Sequence, residues 1–137
     1  MKENSMHITY KSDLNPSVDQ VIELLNSSGL KRPTGDRDRI AQMYAHANLI
    51  ISAWDADQLI GIARSLTDFS FCCYLSDLAV SKKYQQAGIG KELVKLTKEK
   101  IGPKTMLLLL SVPTAMEYYP KIGMDKVENA FIINRTE

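Results

Sequence analysis

Leu78-Ala79-Val80-Ser81-Lys82-Lys83-Tyr84-Gln85-Gln86-Ala87-Gly88-Ile89-Gly90-Lys91 is the stretch whose reading decides the fold. Its front part continues an apolar run from Phe71 to Val80 that reads as a strand. Its back part opens a helix to Ile101, with Ile89, Leu93, Leu96 and Ile101 on one side and Lys91, Lys95 and Lys98 opposite. A strand that turns into a helix through glycines leaves unpaired main-chain N–H groups at the positive end of the helix dipole, which suits an anion. Gly88 and Gly90 let the backbone come close to a bulky phosphate, and Gln85, Gln86 and Lys91 add polar groups at the rim. Two other phosphate loops fail here. A dinucleotide fingerprint needs a glycine where Leu93 stands, and a P-loop needs Ser or Thr where Glu92 stands and a glycine where Gln85 stands. A tight strand-to-helix turn with no ligand is the plainer alternative.

Working outward, the spacing predicts an α/β chain with a mixed sheet. His7 to Lys11 reads as a short strand, and Asn15-Pro16-Ser17 starts a helix with Val18, Val21, Ile22, Leu24 and Leu25 at helical spacing, ended by Ser28-Gly29. A second helical pattern runs from Arg37 to Ala47. Leu49 to Trp54, Leu59 to Leu66 and Phe71 to Val80 form an antiparallel meander. After the helix stop at Gly102-Pro103, Met106 to Leu110 reads as a strand buried on both faces. Thr114 and Glu117 stand at capping-box spacing before a short helix from Ala115 to Ile122, which Pro120 should shorten or kink. Val127 to Asn134 reads as the last β segment.

The chain has 137 residues, 45% hydrophobic and 24% charged, and a formal charge of +1. This fits one domain, residues 1–137 with an ordered core from about 7 to 134. Near-neutrality argues against a nucleic-acid partner, and the longest apolar run, Met106 to Leu110, is far short of the about 20 residues that span a bilayer. No apolar stretch follows Met1 to His7, so a cytoplasmic location is expected. The adjacent Cys72 and Cys73 fit strand packing, His7 and His46 lack a second ligand type at metal spacing, and no metal is expected. Trp54 reads as packing and His46 as a helix-end or surface residue.

The segment from Leu78 to Lys91 resembles the acetyl-CoA-binding segment of the GNAT superfamily of N-acetyltransferases, whose signature is Gln/Arg-x-x-Gly-x-Gly/Ala after a strand ending in Val. A second block, Ala115-x-x-Tyr118-Tyr119-x-x-x-Gly123-Met124, is similar to the family's late helix. The strands Gly61-Ile62-Ala63-Arg64 and Asp77-Leu78-Ala79-Val80 extend the likeness, and only the region before Leu49 matches in pattern rather than motif. The resemblance implies a mostly antiparallel sheet flanked by helices, with a pyrophosphate-binding strand-to-helix turn. It also implies direct attack of a primary amine on the thioester of acetyl-CoA, without an acyl-enzyme.

What the resemblance implies for residues is specific. Main chain from Gln85, Gln86, Ala87, Gly88, Ile89, Gly90 and Lys91 holds the pyrophosphate, and Leu78, Ala79 and Val80 take the pantetheine arm as an added strand. Amides near Leu78 polarise the thioester carbonyl. Tyr119 occupies the family's tyrosine position, that of the general acid, and Tyr118 packs. Asp77 is the candidate base, because partial desolvation raises a carboxyl pKa; the alternative is a polar residue hydrogen-bonded at a bulge. Asp68 is a weaker candidate for the substrate's cation, and Lys31 and Arg32 lie where the family forms part of its acceptor site. Val112-Pro113 stands where many members have an asparagine on the cofactor arm. A non-catalytic acyl-CoA-binding or sensor domain is the competing function. The partner is a small-molecule or protein amine of unspecified kind, and a homodimer is common in the resembling family.

Overall fold

The computed structural model describes residues 7–137. In chain order they form β1 (Ile8–Lys11), α1 (Val18–Ser28), α2 (Arg37–Ala45), β2 (Leu49–Asp55), β3 (Gln58–Thr67), β4 (Cys72–Val80), α3 (Ile89–Ile101), β5 (Met106–Leu109) and α4 (Tyr118–Lys121). Single 3-10 turns lie at Lys82–Tyr84 and Pro113–Ala115. The five strands make one sheet in the order β1-β2-β3-β4-β5, antiparallel except for the parallel pair β4 and β5.

Each face of the sheet has its own apolar cluster. Ile51, Ile60, Cys73 and Leu75 pack with Ile89, Leu93 and Val94 of α3 on one face. Ile50, Trp54, Ile62 and Ala79 pack with Val21, Leu24 and Leu25 of α1 and Ile40 and Tyr44 of α2 on the other. α1 starts on a complete capping box, with the Ser17 hydroxyl accepting from Gln20 N–H and the Gln20 amide oxygen accepting from Ser17 N–H, and Gly29 closes it with φ 85°. Asp36 caps α2 by accepting from Arg39 N–H.

A bulge in β4 positions the site. The register with β3 pairs Arg64 with Asp77 but Ser65 with Leu75, so Ser76 is an extra residue. Before the bulge, Cys73 and Leu75 face α3; after it, Asp77 and Ala79 face α1 and α2. A regular strand would have kept all four on one face.

Three details differ from the sequence reading. β5 is an edge strand, with Met106 and Leu110 each 55% exposed, rather than a strand covered on both faces. The late helix is a single turn, Tyr118–Lys121, with no side-chain cap at its start: Pro120 has no N–H to bond back to Met116, which bars an earlier start, and Gly123 with φ 96° closes the other end. The segment from 124 to 137 contains neither helix nor strand. Apolar composition at 127–134 gives strand propensity, but a strand exists only where its N–H and C=O groups meet a neighbouring edge, and here Phe131 and Ile133 stand almost fully exposed.

Candidate active site

β4 and β5 pair only over Cys72–Leu75 and Met106–Leu109, after which β4 runs on to Val80 with no strand on that side among the described residues. Main-chain groups alternate sides along a strand, and Ser81 N–H donates to Ile60 O toward β3. The N–H and C=O of Leu78 and Val80 therefore point away from β3, into the gap. The gap is a cleft with a cavity volume of about 1370 Å³, walled by Leu78, Ala79 and Val80 on one side and Leu109 to Ala115 on the other. That exceeds the roughly 300–1,000 Å³ of a typical small-ligand pocket, so two reactants can share it.

At the end of β4 the chain makes its 3-10 turn and enters α3 through Gln86 with φ 70° and Gly88 with φ 79°. Gly88 has no side chain with which to cap α3, and the first helical bond runs from Glu92 N–H to Gly88 O. The N–H groups of Ile89, Gly90 and Lys91 thus have no carbonyl in their own helix, whereas the starts of α1 and α2 are both capped. Gly90 packs closely: a Cβ there would stand 2.8 Å from the Tyr118 hydroxyl, so that ring tip would have to move aside. Gln85 sits differently from the rim role its sequence position suggests. Its amide donates to Val80 O at 2.9 Å and Ser28 O at 3.3 Å, tying the turn to the end of α1. The cleft wall reaches Val80 and Gln85; Gln86, Ala87, Gly88 and Lys91 stand past it toward solvent, and Ile89 is in the core.

Tyr119 lines the cleft from α4, and no protein group accepts its hydroxyl among the described residues. Burial, then the neighbouring Tyr118, raises its pKa above the ordinary tyrosine value, so it keeps its proton at neutral pH. Tyr118 meets Tyr119 edge to face with ring centres 5.2 Å apart, the packing role expected of it.

Asp77 is fully buried, and its surroundings reverse the sequence expectation of a raised pKa. Burial alone would raise it, but hydrogen bonds and charge from Arg64, then Arg32, outweigh burial and hold the carboxyl below its ordinary value. Oδ1 accepts from Arg32 Nε at 2.7 Å, and Oδ2 accepts from Arg64 Nε at 2.7 Å and from the Tyr44 hydroxyl at 2.9 Å. Both oxygens accept from fixed donors and the carboxylate has no exposed surface, so the hydrogen-bonded bulge residue is the reading that fits. Asp68 is not brought into the cleft. Its Oδ1 accepts the N–H groups of Ser70, Phe71 and Cys72, which pull its pKa down to about 2 and make it the lock of its own turn. Lys31 and Arg32 do line the cleft.

Arg64, Tyr44 and Ser76 were not singled out by sequence reasoning. Arg64 is 7% exposed, bonds Ser76 Oγ as well as Asp77, and its guanidinium lies 5.2 Å from the centre of the Tyr44 ring. An arginine inside the mostly apolar Leu59 to Leu66 was the available signal, since a buried cation needs a buried anion.

A parallel strand pair that splays open beside an uncapped glycine turn defines an acyl-transfer fold of the GNAT kind. The family described as acetyltransferase (GNAT) domain matches residues 31–135, and the chain belongs to it. The family uses acetyl-CoA. No curated protein matches the sequence. Among solved structures, the chain is similar to a protein from meticillin-resistant Staphylococcus aureus at 20% identity and TM-score 0.80, covering 94% of this chain and 100% of that one. It is similar to a GNAT-family acetyltransferase from Streptococcus pneumoniae at 23% identity and TM-score 0.72, covering 94% and 99%. An aminoglycoside N-acetyltransferase in complex with CoA aligns at 12% identity and TM-score 0.73, covering 99% of each chain. At these identities the likeness establishes the fold.

Proposed function

We propose that this chain is an acetyl-CoA-dependent N-acetyltransferase that moves the acetyl group directly to a primary amine in a ternary complex. The observation that carries the reading is the open side of β4 between Ser76 and Val80, ending at the uncapped start of α3. The two features present, in order, acceptors and donors for a peptide-like arm and then donors for a pyrophosphate.

Acetyl-CoA, as substrate, supplies the thioester. The N–H groups of Ile89, Gly90 and Lys91 hold its pyrophosphate, and the N–H and C=O of Leu78 with the N–H of Val80 pair with its arm, Val80 O being engaged by Gln85. Leu78 N–H also polarises the thioester carbonyl. The amine nitrogen forms the new bond to the carbonyl carbon as the carbon–sulfur bond breaks. The departing sulfur takes the Tyr119 proton, and the surplus proton on nitrogen passes to water. With Asp77 and Asp68 both committed to other partners, solvent serves as the base. Gly90, held against the Tyr118 hydroxyl, couples the pyrophosphate turn to the helix that carries Tyr119.

A non-catalytic acyl-CoA sensor would share the turn but release no thiol. The discriminating experiment follows CoA thiol release from acetyl-CoA with a panel of primary amines. Amine-dependent release, with the acetylated amine found by mass spectrometry, supports the enzyme; acetyl-CoA binding without release for any amine overturns it.

A further inference from the structure

The cleft is cationic where the acceptor must enter. Its wall carries Lys31, Arg32, Arg39, Arg64 and Arg135 and, among the described residues, the single acidic residue Glu137. Asp77, behind the wall, is shared by Arg32 and Arg64, so that pair of arginines keeps an excess positive charge. Lys31 and Arg39 have no carboxylate at ion-pair distance among the described residues. Asp36 and Asp38 lie near Arg39 in sequence but are not part of the cleft wall, and the Asp36 side chain is engaged by Arg39 N–H.

These charges are not placed for the pyrophosphate. Arg32 is fixed by Nη2 to Ser76 O at 2.7 Å, four residues before Val80 and therefore about 13 Å back along β4 from the glycine turn. Arg39 lies one helical turn from Met43 on the same face of α2, both line the cleft, and Met43 O accepts from Arg64. Arg32, Arg39 and Arg64 thus gather beside the Ser76 bulge of β4 rather than at the glycine turn.

Resting on the acetyltransferase reading, we propose that the acceptor is a small amine that also carries an anionic group, a carboxylate or a phosphate, and that Arg39 and Lys31 bind that group. A polycation would meet mostly like charges, with Glu137 the one acidic residue on the wall among the described residues to receive it. An anion meets an arginine fork of suitable geometry, while the uncharged amine is left free to approach the thioester.

The test compares matched amines at saturating acetyl-CoA: β-alanine with n-propylamine, O-phosphoethanolamine with ethanolamine, and spermidine and kanamycin as polycations. The expected result is kcat/KM at least about tenfold higher for an anionic amine than for its neutral match, with polycations lowest. The two anionic arms tell carboxylate from phosphate. Arg39→Gln should cut the anionic-over-neutral ratio about tenfold, while calorimetry shows the acetyl-CoA Kd unchanged. Preference for a polycation, or acetyl-CoA binding with no anionic amine acetylated, overturns the proposal and leaves cofactor recognition standing. Failure of acetyl-CoA to bind would instead remove the acetyltransferase reading and this proposal together.

Discussion

Arg32, in the loop between α1 and α2, places its Nε 2.7 Å from Oδ1 of Asp77 in β4, joining a loop that lines the cleft to the bulge in β4. The bond spans 45 positions of sequence, and Arg64 closes the other side of the same carboxylate. Asp77 therefore ties that loop to β4 through a buried carboxylate.

Asp77→Asn leaves two buried or half-buried arginines short of a charge and should destabilise the protein by about 3–5 kcal/mol. The pH dependence has a definite sign. The folded carboxyl lies below its ordinary value, so its contribution is complete above about pH 4 and is lost as pH falls through the lower, folded value. Urea unfolding from pH 7 down to pH 3 should show the wild type losing stability on the acid side more steeply than Asp77→Asn. Equal slopes would mean that Asp77 is not charged in the fold.

With solvent as the base, the rising limb of the pH–rate profile belongs to the acceptor. Two acceptors whose amine pKa values differ by about one unit should give limbs displaced by about one unit. A limb that stays fixed when the acceptor changes would reveal a protein base.

Tyr119→Phe removes the only hydroxyl that α4 presents to the cleft wall. The expected effect is a fall in kcat of about 10- to 100-fold, at the lower end of general-acid contributions, with acetyl-CoA affinity nearly unchanged. Stopped-assay kinetics and calorimetry on the same preparation measure both quantities. An unaltered kcat would take Tyr119 out of the reaction.

Gly90→Ala drives a methyl to within 2.8 Å of the Tyr118 hydroxyl and should cost about 1–3 kcal/mol. Tyr118→Phe removes the obstructing oxygen, so the double variant should regain much of the loss. Thermal unfolding of the four proteins gives the coupling energy. Additive losses would show that the Gly90–Tyr118 contact is not tight.

The elements that carry the cofactor reading were legible because they are local. The strand before Val80, the glycines at 88 and 90 and the apolar side of α3 lie within one continuous stretch, and the three-strand meander follows from alternation and turns. The role of Asp77 was not legible, because it depends on partners from α2, β3 and a loop, and on an extra residue at Ser76 that switches the strand's facing. Arg32 read from sequence alone is a loop residue, and its fixed position comes from the bulge carbonyl it reaches. The segment from Val127 to Asn134 misled for the opposite reason: its composition favours a strand, and composition does not supply an edge to pair with.

The most direct test of the central claim is thermal unfolding with acetyl-CoA, with ATP and NAD as controls. A ligand that binds only the folded chain stabilises it by about 2.7 kcal/mol at a hundredfold excess over Kd. The open side of β4 and the uncapped start of α3 predict a clear upward shift in Tm with acetyl-CoA and none of comparable size with the controls. No shift with acetyl-CoA at millimolar concentration, or an equal shift with all three, would contradict the account.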